Sequence, residues 1–241
     1  MYMKDTEQQI IIGLHSAEAA IKNHKRKIFK VFCTDEIYRK FETIIEERKI
    51  KKIEILKRKE IDKKVKNTIH QGIVIFCSFL KNHFLEDIDN QENLILILDS
   101  LNDSQNVGSI MRTALLFGVK TIIYNKHNSF EISPFLIKSA SGSFEKIKLI
   151  EVNNLSQAIN YLKKRKFWTF GLTANKGQAL EKSPKNIKTA IIVGSENRGI
   201  RQLIIKKCDF LININTHKDL IVDSLNVSNA VAIALYELTK K

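Results

Sequence analysis

Three separated blocks of this 241-residue chain keep polar side chains where packing has no use for them, and chemistry is to be sought there first. In the first block, Leu98 to Val119, Asn106 and Arg112 stand six residues apart, an amide and a guanidinium suited to a hydroxyl and an anion. The second, Ile191 to Ile200, sets Ser195, Glu196, Asn197 and Arg198 between Gly194 and Gly199. Gly194 lets a ligand approach the backbone, and Glu196 and Arg198 can hold a polar group or each other. The third, Asp223 to Leu238, begins with Ser224, a good helix N-cap, and carries Asn226 and Ser228 in the turn that follows. Asn226 is a poor helix former with little to do there unless it binds something. Taken singly, a solvated arginine, an ion-paired turn and a first-turn asparagine are ordinary surface features. Three such loops in one chain define a candidate site.

The elements that must position these blocks are strands and helices in alternation. LILILD, TIIYN, KFWTFGLT, TAIIVGS and FLINI are continuous apolar runs, the pattern of a parallel sheet covered on both faces. SPFLIKSAS, opening with Ser133 and Pro134, LSQAINYLKKRK and IRQLIIKKC are the helices between them. The first block predicts a helix from about Ser109, which puts Arg112 on its first turn beside free backbone N–H groups; the third predicts a helix from Ser224 to Lys240. Loops at the strand ends of such a sheet build a ligand crevice. Residues 1–80 form a separate small α/β unit: helix GLHSAEAAIKN, strand KIFKVFCT, helix YRKFETIIEERKI, then strands IKKIEILK and GIVIFCSFL. The polar, acidic stretch 81–93 reads as a linker and 94–241 as the second domain.

A net charge of +14 suits a polyanionic partner, because lysines and arginines that neutralise phosphates release counterions. KNHKRK from Lys22 and the lysine-rich stretch from Arg48 to Lys66 are the candidate footprint of such a partner. Since 32 of the 40 basic residues are Lys and the chain is rich in Ile and Asn, an A+T-rich genome offers a second origin for the charge. No apolar run approaches the roughly 18 residues of a membrane span. MYMKDTEQQIII lacks the basic start and apolar core of a signal peptide, so a cytoplasmic protein with no membrane partner is expected. Cys33, Cys77 and Cys208 form no C-x-x-C pair and the six histidines no cluster, which argues against a disulfide framework and against a metal site.

Neither G-x-G-x-x-G nor G-x-x-x-x-G-K-[ST] occurs, which argues against dinucleotide and phosphate-loop sites, and the glycine-rich loop of Rossmann-type methyltransferases is missing too. The residues present carry a different likeness. N-x-G-x-x-x-R-T-A at Asn106 to Ala114, G-S-E-x-x-G at Gly194 to Gly199 and S-L-N-V-S at Ser224 to Ser228 resemble, in order, the three motifs of the SpoU (TrmH) branch of the SPOUT RNA methyltransferases. GLHSAEAAI from Gly13 and HQGIVI from His70 resemble the substrate-binding domain of the subgroup that methylates a guanosine of 23S ribosomal RNA.

That resemblance implies an α/β protein with a small N-terminal RNA-binding domain, a C-terminal parallel-sheet domain tied in a trefoil knot, and a homodimer formed through the knotted domains. It implies transfer of a methyl group from S-adenosylmethionine to a ribose 2′-hydroxyl. Arg112 matches the catalytic arginine, with Asn106, Glu196, Ser224 and Asn226 lining the site; Leu172, Thr173, Gly194, Ile214 and Leu225 match the positions that surround the cofactor. Arginine is a poor base, with a pKa above about 12, so Arg112 is read as holding the hydroxyl and an adjacent phosphate, while its family role as the base stays open. Two departures stand out. Asp103-Ser104 replaces the usual Asp-Pro and should loosen that turn; Ile214-Asn215-Thr216 followed by HKDLIVD replaces Ile-Pro-Met with a loop about two residues longer, at the rim of the cofactor pocket. A tRNA 2′-O-methyltransferase with the same catalytic residues, and a non-catalytic RNA-binding or ribosome-assembly protein, are the alternatives.

Overall fold

A computed structural model of the chain describes residues 8–65, 69–217 and 224–240. The chain opens with β1 (Gln9–Ile12), α1 (Leu14–Lys22), β2 (Ile28–Cys33), α2 (Asp35–Glu47), β3 (Ile53–Ile55), α3 (Arg58–Lys64) and β4 (Ile73–Cys77). These build a four-stranded sheet of order β1-β4-β2-β3, in which β4 runs antiparallel to both neighbours and β2 parallel to β3. Helix α2 buries Ile37, Phe41 and Ile45, an i, i+4, i+8 stripe. Ile12, Phe32, Ile61 and Val74 form the core on one side of the sheet.

The chain then enters a second unit through β5 (Leu94–Asp99), α4 (Ser104–Leu116) and β6 (Thr121–Asn125). It returns to the first for α5 (Pro134–Ser139) and a 3₁₀ turn at Ser143–Glu145 before re-entering the second. The N-terminal unit therefore runs to Lys81 and takes in Ile132–Glu145, a segment that the sequence pattern assigned to the C-terminal domain. The physical reason is a buried ion pair: Arg26 Nη2 lies 2.7 Å from Glu145 Oε1, with the two side chains 0% and 1% exposed. Arg26 Nη1 donates to Gln9 Oε1, and Asn23 Nδ2 donates to Glu145 Oε2, so the charges are surrounded by donors and acceptors. Arg26 is thereby removed from the expected RNA footprint. Arg48 is likewise engaged, donating to the carbonyls of Asn23 and Arg26; Lys66, the last residue of that footprint, lies outside the described residues.

The second unit continues with β7 (Lys148–Val152), α6 (Leu155–Lys164), β8 (Trp168–Leu172), β9 (Gln178–Ala179), β10 (Thr189–Gly194), α7 (Gln202–Ile205), β11 (Phe210–Asn213) and α8 (Val227–Thr239). Its seven strands lie in the order β7-β6-β5-β10-β8-β11-β9, and every pairing is parallel, as the continuous apolar runs predict. Ile95, Ile97, Ala190 and Ile192 of the two central strands pack with Leu155, Ile159 and Leu162 of α6 on one face, while α8 packs on α4. From β5 the chain steps outward to β6 and β7; from β8 onward it fills the other side, with β10 inserted beside β5. The crevice of such a sheet lies at the carboxyl ends of the strands where that order reverses.

Two helix starts differ from expectation. Helix α4 begins at Ser104, not near Ser109, because Asp103 caps it by accepting a 2.7 Å hydrogen bond from the Asn106 amide. Ser104 occupies the first helical position, which proline favours, so the turn forms without it. Helix α8 begins at Val227 with Asn226 as its N-cap, and Ser224 precedes it in the connecting chain. Strands β1, β7 and β9 and helix α3 were not anticipated, being too short or too polar to leave a periodic signal; the stretch taken as a linker forms a 3₁₀ turn at Leu85–Asp87 packed within the second unit. Ser133 and Pro134 start α5 as predicted, the Ser133 hydroxyl accepting from the Leu136 amide.

Beneath the crevice, β8 and β11 are stitched by Asp209. Its carboxylate accepts from Thr169 N (2.9 Å), Thr169 Oγ1 (2.8 Å) and Lys163 Nζ (2.6 Å). Partial burial pushes this carboxyl up, but the hydrogen bonds from Lys163 and Thr169 outweigh it and hold it below the ordinary carboxylate range. A folded-state pKa below the unfolded value stabilises above the unfolded pKa and is lost as pH falls through the folded one. Asp209→Ala should therefore cost about 1–2 kcal/mol at pH 7, mainly through the orphaned Thr169 amide, with the gap to wild type narrowing below about pH 4. Urea unfolding at several pH values checks this. A gap that widens on acidification would contradict it.

Candidate functional site

The site grows from the pairing of β5 with β10, which sets Gly194 directly opposite Asp99. The first two blocks thus leave the sheet side by side. After Gly194 the chain folds back on itself in a tight loop closed by Gly199 N donating to Ser195 O at 2.7 Å. A Cβ on Gly194 would lie 2.0 Å from the Gly199 carbonyl carbon, and Gly199 itself has φ +65°. Gly194 was expected to admit a ligand to the backbone; what approaches it this closely is the returning loop. Asp99, 0% exposed, anchors the end of the loop by accepting from Arg201 N (2.9 Å) and Arg201 Nε (2.6 Å). Ser100 follows with φ +62°, its amide held by Asn125 Oδ1.

Onto this frame the three blocks close. Glu196 Oε1 accepts from Asn106 Nδ2 at 2.6 Å and from Asn226 Nδ2 at 3.2 Å, and the same Asn226 nitrogen lies 3.0 Å from Asn106 Oδ1. Asn226 Oδ1 meanwhile caps α8, accepting from the Ser228 amide and hydroxyl. One side chain both starts the helix and donates to the other two blocks, which is why asparagine stands there: serine could cap but could not also reach out with an NH₂. Among the described residues Glu196 makes no ion pair with Arg198.

Glu196 stands between two clefts. The larger, about 400 Å³, is lined by Leu172, Thr173, Gly194, Ile214 and Leu225, all five residues expected around a cofactor, together with Glu196 and Ser224. The smaller, about 200 Å³, is lined by Ser100, Asn102, Asp103 and Asn106, and shares Ser195, Glu196, Asn197 and Val227 with the first. Arg112 lines neither. With α4 starting at Ser104 it lies in the third turn, exposed on the helix face it shares with Leu116, and not on the first turn beside free N–H groups. Residues that sequence reasoning missed are Asp99, Arg201 and Lys176, the last on the rim of the larger cleft. An aspartate closing the apolar run LILILD was the available signal, since a carboxylate buried at a strand end needs a cation. Of the lengthened rim loop, residues 218–223 lie outside the described residues.

A parallel α/β unit with a ligand-sized cleft at its switch point, walled by polar side chains from three strand-end loops, defines a small-molecule-binding enzyme class. The SpoU rRNA Methylase family pattern matches residues 93–236, and the pattern described as RNA 2′-O ribose methyltransferase substrate binding matches residues 10–83. A Coxiella burnetii protein named 23S rRNA (guanosine-2′-O-)-methyltransferase RlmB is 31% identical over 96% of this chain and 95% of its own length. A Staphylococcus aureus TrmH family protein, whose name gives tRNA and rRNA together, is 32% identical over 98% of this chain and 97% of its own. The chain belongs to the SpoU rRNA methylase family. Its fold is that of the SpoU methyltransferase AviRb from Streptomyces viridochromogenes, solved in complex with AdoMet, with a TM-score of 0.80 at 17% identity over 98% of this chain and 90% of that one.

Because the returning loop leaves no room at Gly194, Gly194→Ala should displace it at a cost of about 1–3 kcal/mol, spread locally rather than over the sheet. Hydrogen exchange at the Gly199 amide should accelerate by at least about tenfold while the β5 and β6 amides keep their protection. Unchanged protection at Gly199 would show that the loop is not held as described.

Proposed function

We propose that the protein is an S-adenosylmethionine-dependent ribose 2′-O-methyltransferase acting on a guanosine of 23S ribosomal RNA. The observation that carries this reading is the meeting of Asn106, Glu196 and Asn226 from three motifs on the wall between two clefts, one of ligand size. The near full-length likeness to RlmB proteins favours ribosomal RNA, since a TrmH/SpoU tRNA-modifying structure from A. aeolicus covers only 62% of the chain at a TM-score of 0.54.

The larger cleft fits the cofactor. Leu172, Val193, Ile200, Ile205, Ile214 and Leu225 offer an apolar floor for a purine ring, while Thr173, Glu196 and Ser224 supply polar groups for a ribose and an amino acid. S-adenosylmethionine, when bound, supplies a methyl group on a sulfonium. The residues of this chain then align and hold: the smaller cleft, with Asn106 and Glu196 on its wall, takes the target ribose so that its hydroxyl faces across to the larger one. Arg112, outside both clefts, is assigned to the incoming RNA, where its fork can hold a phosphate next to the target ribose. Most of the acceleration on this reading comes from alignment and from charge placed in advance.

The protein acts as a homodimer on the same reading. Arg112 and Leu116, 81% exposed, share one face of α4, and α8 exposes Ile233 and Tyr236 at i, i+3 spacing; a second copy covering this stripe would bring Arg112 to the edge of the shared surface. No helix among the described residues is long and apolar enough to cross a membrane.

Transcribed 23S rRNA and tRNA pools incubated with methyl-labelled S-adenosylmethionine test the activity. Label on a single guanosine ribose of 23S rRNA is expected; label confined to tRNA, or none, would reject the proposal. Arg112→Ala should lower transfer on the order of 100-fold or more while leaving cofactor affinity within about twofold, and Arg112→Lys should rescue poorly because it lacks the planar fork. A folded Arg112→Ala protein that transfers at close to the normal rate removes this residue from the mechanism.

A further inference from the structure

At the end of the seven-stranded sheet opposite the clefts, the only tryptophan of the chain opens β8. Trp168 is 47% exposed, whereas the four residues after it in β8 are buried. Leu172, on the cofactor cleft, is four residues further along, about 13 Å at strand rise. The indole packs at a tilt against Phe210 (5.7 Å between centroids, 43° between planes), which itself stacks on Phe170 in the core (5.0 Å). An aromatic ladder therefore runs from the interior to the surface and presents a fixed, half-open indole at its end.

Basic residues stand near Trp168 in the chain and on the segments bonded to β8. Lys188, whose carbonyl accepts from the Trp168 amide, sends its ammonium to the Asn90 carbonyl. Arg165 also reaches Asn90, through its side-chain oxygen, and the Ile88 carbonyl. Lys166 lies exposed two residues before Trp168; Lys206 and Lys207 lie at the end of α7, where the Lys207 carbonyl accepts from Thr169. Among the described residues none of Arg165, Lys166, Lys188, Lys206 and Lys207 is in an ion pair, and the adjacent carboxylate, Asp209, is committed to Lys163 and Thr169. Arg165, Lys188 and Lys207 meet neutral partners, the backbone or side-chain oxygens of Ile88, Asn90 and Asn160 and the rings of Tyr161 and Phe167, so no carboxylate cancels the positive charge of these five residues. Phosphates on either side of a stacked base would use both this charge and the exposed ring.

We propose that this face is a second RNA-contact surface, on which an unpaired base of the substrate stacks on Trp168 while Lys166, Lys206 and their neighbours hold the flanking phosphates. The inference rests on the reading of the protein as an RNA methyltransferase and adds a site remote from the chemistry. Stacking is tolerant of base identity, so the surface would contribute affinity and orientation, not the choice of nucleotide.

Because the chain has one tryptophan, its fluorescence reports on this face alone. A ten-nucleotide single-stranded RNA titrated into the full-length protein should quench the emission, and the quench should fade as salt rises. Trp168→Leu, and separately Lys166→Glu combined with Lys206→Glu, should weaken binding of this RNA by about tenfold or more and raise the KM for 23S rRNA, with cofactor affinity and kcat unchanged. Undiminished RNA affinity and KM in these variants, with unquenched emission in the wild type, would overturn the proposal even if methyl transfer is normal. Quenching and variant effects on oligonucleotide binding in a protein that transfers no methyl group would uphold the surface while rejecting the proposed activity.

Discussion

Everything at the candidate site depends on one carboxylate accepting from two amides. Glu196 arrives on a loop after β10, Asn106 in the first turn of α4 and Asn226 at the cap of α8, from positions 90 and 30 residues away along the chain. Without a shared acceptor, three strand-end loops would present three unrelated polar surfaces. With it, the wall between the larger and smaller clefts has a fixed position, and each donor residue is held by a second bond: Asn106 through its backbone N–H to Asp103 Oδ1, Asn226 through its side-chain oxygen, which accepts from Ser228. A network whose two donors are each tied to their own helix start loses little entropy when a ligand binds beside it, which is what alignment of a hydroxyl against a methyl donor requires.

The scaffold makes this meeting possible by spending local conformational freedom. The parallel register of β5 and β10 fixes where both blocks leave the sheet, and the absence of a side chain at Gly194 lets the loop return over its own stem. Asp99 then holds the far end of that loop through Arg201. Since Asp99 is fully buried and the guanidinium half exposed, this pair is anchored from the protein side and adjustable from the solvent side. The N-terminal unit uses the same logic for a different end. Its Arg26–Glu145 pair, dry on both sides, captures a segment that the chain supplies only after it has already begun the second unit.

Much of this was legible in the sequence, and the misses share a cause. The continuous apolar runs announced the parallel sheet, and all five residues expected around the cofactor line one cleft. The small, polar segments were harder. Asp103 could be seen as a turn residue, but only its bond to the Asn106 amide shows that it caps α4 five residues earlier than the apolar pattern suggests. Ser224 looked the better cap by type; Asn226 takes the position because its amide is needed across the site as well. The return of 132–145 to the N-terminal unit left no local trace, since a buried Arg–Glu pair at a separation of 119 residues is a tertiary fact. Arg112 kept its place in the motif but moved in space when the helix start moved.

The central claim, that the three motifs act as one unit through Glu196, is tested most directly by a double-mutant cycle between Asn106→Ala and Glu196→Ala, read by calorimetric S-adenosylmethionine affinity. Each single change should weaken binding, and the pair should weaken it by less than the sum, with a coupling of at least about 1 kcal/mol. Additivity within about 0.3 kcal/mol would mean that the two loops bind independently and that the shared carboxylate organises nothing.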